Sequence, residues 1–97
     1  MGYRLVVAPS AMAEMRRAAA WWDHHRPEAR YTIESEVDAA LTGIDEHPRR
    51  GLRIAAGGRP LYQLQLQRIG YRLLYDVDDE RQVIEIVAFV HGARRPR

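Results

Sequence analysis

Lysine is missing from this chain: all 15 basic side chains are arginine. Cysteine is missing as well. That excludes a disulfide framework, a thiolate zinc site and a cysteine nucleophile. No apolar run approaches the ~20 residues needed to span a bilayer. The start, MGYRLVV, is too short for a secretory signal, and Val6 stands where a myristoylation motif wants serine or threonine. The cytoplasm is therefore the expected location, with no membrane partner. No serine lies in a GxSxG context, so a hydrolase triad has no support. Gly57-Gly58 is followed by no GK[ST], so it is a turn and not a phosphate loop.

What is present is a 97-residue chain, 46% hydrophobic and 29% charged, which argues for one folded domain over residues 1–97. A domain of this size buries roughly 60–65% of its unfolded surface, so its stability is modest and a partner matters. The net charge of +2 conceals a segregation. Residues 28–46 hold six acids and one arginine, whereas residues 49–72 hold six arginines and no acid. This predicts an acidic helical side and a basic sheet side suited to an acidic partner or to phosphate.

Residues 3–8 (YRLVVA) read as a first strand, stopped by Pro9-Ser10, with Ser10 as N-cap of a helix. Met12, Met15, Ala19 and Trp22 fall at helical spacing and should face the core. Trp21 then cannot point inward; it packs on helix two or serves as an anchor for a partner. Pro27 opens a second helix, with Ile33, Val37, Ala40, Leu41 and Ile44 as one apolar stripe and Pro48 at its close. Two helices so closely joined should form an antiparallel hairpin. The second helix is acidic and would repel a DNA groove. Residues 49–60 read as a linker with room for a short strand at 52–55. Residues 61–67 (LYQLQLQ) alternate as a strand, and so do residues 71–77. The polar turn at residues 78–81 leads into the apolar run 83–90, which suits a strand covered on both faces and delivers His91 at its end. The expected fold is α+β: a two-helix antiparallel hairpin on a small, mainly antiparallel four-stranded sheet. Ile33, Val37, Leu41, Ile44, Leu73, Tyr75, Ile84, Ile86 and Val90 should supply most of the core.

The four histidines have no ligand partner at metal-site spacing, so no metal and no cofactor is expected. His91 can move protons near neutral pH, and arginines can fork onto a phosphate. His91, Arg72 and Arg59 would suffice for metal-free RNA cleavage if a base were also present to activate a 2′-hydroxyl. Arg72 is expected on a sheet face with Leu74 and Asp76, where Asp76 could pair with it. Arg72, His91, Arg94 and Arg95 are expected to form one target-binding patch, and Trp21, Arg53 and Arg59 to meet a partner.

The chain resembles the RelE/ParE superfamily of type II toxins over nearly its whole length. The residues that carry the resemblance are Ser10, Ala13 and Glu14 at the start of helix one, RPEAR at 26–30, Leu41, Ile44 and the PRRG of 48–51, GRPL at 58–61, YRLLYDVDD at 71–79 and VAFVHGARR at 87–95. The resemblance implies a toxin neutralised by a cognate antitoxin in a hetero-oligomer, acting either on DNA gyrase or on ribosome-bound mRNA. Arg72 matches a phosphate-contacting arginine of the mRNA endonuclease branch, and His91 a histidine that some of those enzymes carry. Gly92 stands where active endonucleases often have tyrosine, and residues 49–71 lack the glutamate or lysines of their second-strand region. RPEAR and HGARR are more similar to the ParE side. The resemblance thus implies a gyrase inhibitor with no enzymatic site, with the mRNA endonuclease, or an inactive antitoxin-binding member, as alternatives.

Overall fold

The computed structural model describes residues 2–29 and 32–92. The described elements are β1 (Arg4–Val7), α1 (Pro9–His25), a 3-10 turn (Pro27–Ala29), α2 (Thr32–Glu46), β2 (Leu52–Ala56), β3 (Arg59–Leu66), β4 (Tyr71–Asp78) and β5 (Val83–His91). The five strands form one sheet in the order β1-β5-β4-β3-β2, with β1 parallel to β5 and the other pairs antiparallel. Four strands were expected; the fifth, β2, forms at the place in the linker where residues 52–55 left room for a short strand. Gly57 and Gly58 both have positive φ, 60° and 75°, and Ala56 pairs with Arg59 across them. That is the two-residue hairpin turn whose twist suits antiparallel strands, so the segment before it is drawn into the ladder.

Both helices cover the same face of the sheet. α2 brings Ile33, Val37, Ala40 and Ile44 to the core, with Leu41 partly buried beside them. α1 contributes Ala11 and Ala18, both buried, flanked by Met15, Ala19 and Trp22. The small alanines let α1 lie close over β5. Met12, expected inside, is exposed, because its neighbour Ala11 takes the inward position in that turn of α1. The helix also starts earlier than Ser10. Ala8 holds the cap position with an extended backbone and no side-chain cap, and Pro9 takes the first turn, where its missing N–H costs nothing. Pro27 likewise opens the short 3-10 turn and not α2 itself.

One irregularity decides the far end of the sheet. Leu74 pairs with Ala88 but Tyr75 pairs with Ile86, so Val87 is an extra residue in β5. Such a bulge switches which side chains face inward. Ile84 and Ile86 are fully buried before it, and Phe89 is buried after it. Val90, expected in the core, is half-buried on the opposite face. β5 is an interior strand, as expected, but α1 covers one of its faces and the other is half-buried.

The helix-side rings stack. Tyr71 lies parallel to Phe89 with centroids 4.6 Å apart, and Tyr62 lies 5.5 Å from Tyr75. Tyr75 is buried, and its hydroxyl accepts the Gly51 N–H at 3.1 Å, which anchors the chain entering β2. Burial pushes the Tyr75 pKa up, with the Gly51 bond pulling the other way.

Candidate functional site: two faces and a groove

Residues alternate across β4, so Tyr71, Leu73 and Tyr75 face the helices and Arg72, Leu74 and Asp76 face away. On this open face Arg72 donates from its guanidinium to the Gln63 side-chain carbonyl at 3.3 Å, and it pairs across the ladder with Gln65. Its β3 neighbours are thus neutral amides. Asp76, the alternative partner for Arg72, accepts from Arg59 at 3.0 Å. Glu85 lies 3.8 Å from the same Arg59 nitrogen. Arg59 is therefore held among two carboxylates, which stabilise its charge and compete with any incoming anion.

His91 does not join this group. The Val87 bulge turns it to the helix side, where its ring meets Tyr71 edge-on at 5.0 Å. There it lines a groove of about 960 Å³ between α1 and the ends of β4 and β5. The α1 wall is the stripe Ser10, Glu14, Arg17 and Trp21; Arg26 and Arg68 stand at the rim, and Tyr71, Phe89 and His91 form the sheet wall. Arg17 is ion-paired with Glu14, and Arg68 with Glu36 at 3.4 Å. Trp21 is 49% exposed and stacks on His25 at 4.3 Å, while the Arg26 guanidinium lies 5.9 Å from the Trp22 ring. Trp21 thus faces the β5 side and not α2. The groove is aromatic at its walls and mostly cationic at its rim, which suits an acidic, partly apolar segment.

Arg72 and His91 therefore lie on opposite faces of the sheet, and Arg59 is at the far side of the open face from Gln65. The three residues suggested for RNA cleavage do not converge. Arg94 and Arg95 lie outside the described residues. Trp21, Arg53 and Arg59 occupy three separate surfaces: the groove, the helix side of edge strand β2, and the open face. Arg17, Arg26, Arg68 and Tyr71 were not singled out from the sequence as groove residues. The spacing of Ser10, Glu14, Arg17 and Trp21, one side of a helix, was the available signal. Among the described residues no three of His, Asp and Glu gather as a metal site.

At the opposite end of the sheet, the β4–β5 turn is tied down. Asp79 accepts from the Tyr3 hydroxyl at 2.6 Å and from the Arg49 guanidinium. The Tyr3 bond first, and then Arg49, hold the Asp79 carboxyl below its ordinary range.

A family model described as the ParE toxin of the type II toxin–antitoxin system parDE matches residues 5–96. Among curated proteins none matches significantly. The fold is similar to that of the isolated RelE toxin of E. coli, with a TM-score of 0.70 and 25% identity over 96% of this chain and 87% of that one. The intact E. coli RelBE toxin-antitoxin complex gives 0.69 and 25% over 95% and 99%. The RelBE2 toxin-antitoxin complex of Mycobacterium tuberculosis, at 21% identity over 94% of this chain and 99% of that one, has a TM-score of 0.67 and the same fold.

Proposed function

The chain belongs to the ParE toxin family of type II toxin–antitoxin systems, and from that premise we propose that it arrests growth in the cytoplasm by binding and poisoning DNA gyrase. The observation that carries this reading is the surroundings of Arg72. Its β3 neighbours, Gln63 and Gln65, are amides. An amide takes no proton from a 2′-hydroxyl and carries no charge to offset one developing on phosphate. The only nearby candidate for proton transfer named from the sequence, His91, is across the sheet. Glutamines at positions 63 and 65, where the endonuclease branch carries glutamate or lysines, support a surface that holds a target, not one that cuts it.

A cognate antitoxin neutralises the toxin in this reading by filling the groove beside α1, with Trp21 as anchor and acids meeting Arg26 and Arg68. The structural likeness to RelE favours one second reading, a ribosome-dependent mRNA endonuclease. The two are separated by assaying the purified protein on both targets. Inhibition of supercoiling or trapped cleaved DNA, with mRNA on programmed ribosomes left intact, is expected. Codon-phased mRNA cuts with gyrase unaffected would overturn the gyrase assignment in favour of the endonuclease.

A further inference from the structure

The sheet face turned away from the helices carries an apolar band. Val6, Leu52, Ile54, Leu61, Leu74 and Val90 all point to it by their places in the ladders. Leu61 and Leu74 are each 5% exposed, sunk among their neighbours, while Leu52 stands out at 66% and Val6 at 38%. Both α1 and α2 pack on the opposite face, and among the described elements none lies over this one. Yet β5 (VIEIVAFVH) is the kind of apolar run that suits a strand covered on both sides. The run therefore asks for a cover on its second side.

The charges on this face are of both signs and are ordered along the strands. Asp76 and Glu85 are partners in the β4–β5 ladder, and Arg59 reaches both. Arg72, held by Gln63 and paired in the ladder with Val90, lies four residues before Asp76 on β4, with Leu74 midway between them. A partner of one charge sign would be attracted at one end of β4 and repelled at the other. A second copy of this chain would not. A two-fold axis that lies between two facing sheets and crosses β4 at Leu74 sets Leu74 against its own counterpart. It also sets Arg72 of each copy against Asp76 and Glu85 of the other. Packed sheets cross at about 30°, which moves a residue two positions from the axis by roughly 3 Å, within the reach of an arginine.

The area is sufficient. Five strands of four to nine residues, at ~3.3 Å per residue and ~4.8 Å apart, present a face of roughly 500 Å². Two such faces remove about 1,000 Å² from water, the low end for a specific association, which fits a weak and reversible dimer.

We propose that the open sheet face is a self-association surface, on which a second copy of the chain docks to form a two-fold dimer. The dimer hides Arg72, and with it the surface proposed to hold the target. Association is measured without gyrase, so its failure is distinct from failure of the gyrase assignment.

The test is light scattering and NMR on the purified chain over a dilution series. The chain is expected to pass from dimer at millimolar to monomer at low micromolar concentration. Backbone amides of residues 72–76 and 88–90 should shift with concentration, and those of residues 14–26 should not. Arg72→Glu and Asp76→Arg, each checked for an unchanged melting temperature, should each weaken association at least roughly tenfold, because the charge-assisted contact is made twice in the dimer. Mixed in equal amounts, the two variants should pair again, since one brings only acids to the axis and the other only cations. If either variant melts early, the amide map of the unaltered chain decides alone. A chain still monomeric at millimolar concentration, amide shifts confined to the groove or to β2, or a mixture no tighter than its separate variants would each overturn the proposal.

Discussion

The sheet face beneath the helices carries Tyr71, Leu73, Tyr75, Ile84, Ile86 and Phe89, a layer of buried rings and branched aliphatics. The face turned away carries Gln63, Gln65, Arg72, Asp76 and Glu85, with Leu61 and Leu74 buried on it. The same strands build both. Consecutive residues point to opposite sides, so two residues one step apart along the ladder, such as Arg72 and His91, the partner of Tyr71, are kept apart by the thickness of the sheet. The covered face provides the stability and the groove; the open face presents amides and paired charges. A single extra residue, Val87, decides which of these surfaces receives the end of β5.

The strongest check of this division compares Phe89→Ala with Val90→Ala in denaturant melts. Phe89 is 1% exposed, and its truncation should cost ~3–5 kcal/mol. Val90, half-buried on the open face, should cost under about 1 kcal/mol. Equal losses would mean that β5 runs without its bulge and that His91 belongs beside Arg72.

A smaller effect is expected where β2 enters the sheet. A Cβ on Gly51 would lie 2.9 Å from the Gln63 carbonyl oxygen and 2.9 Å from the Tyr75 hydroxyl. Gly51→Ala should therefore destabilise by ~1–3 kcal/mol through overpacking, and Tyr75→Phe should relieve part of that loss while forfeiting the Gly51 bond. A Gly51→Ala variant with wild-type stability would show that the edge strand is not pinned to the covered face through Tyr75.

The smallest effect concerns the exposed clasp of Tyr3, Asp79 and Arg49. The folded state holds the Asp79 carboxyl below the ordinary value of 3.8, so it binds that proton less readily than the unfolded chain does. The clasp's contribution is present above that ordinary value and is lost as pH falls through the depressed folded one. Asp79→Asn should lower the melting temperature slightly at neutral pH and leave it unchanged at the acid end. A difference that persists undiminished in acid would remove the clasp from the pH dependence.

Much of this was legible in the residues alone. The stripe of Ile33, Val37, Ala40 and Ile44 dictates one face of α2, because a helix that lacks a second apolar stripe can be buried in one way. LYQLQLQ and YRLLYDV dictate strands with a tyrosine–leucine side and a polar side for the same reason. The motif series that resembles the RelE/ParE superfamily led to the family that the chain belongs to. With neither acid nor lysine in residues 49–71, glutamines stand beside Arg72 on β3.

Other features came from long-range packing. β2 has an unremarkable sequence, and it became a strand because the Gly57-Gly58 turn folds it onto β3. The bulge at Val87 leaves no signature in a run of apolar residues, since valine, alanine and phenylalanine suit either face. The phase is set where Phe89 can stack on Tyr71 beneath α1, and that contact joins residues from two strands. Alternation within each strand is a local property of the backbone, so the residues determine it by themselves. Which side of the sheet each end of β5 faces depends on where the strand slips against its neighbours, and only the assembled core decides that.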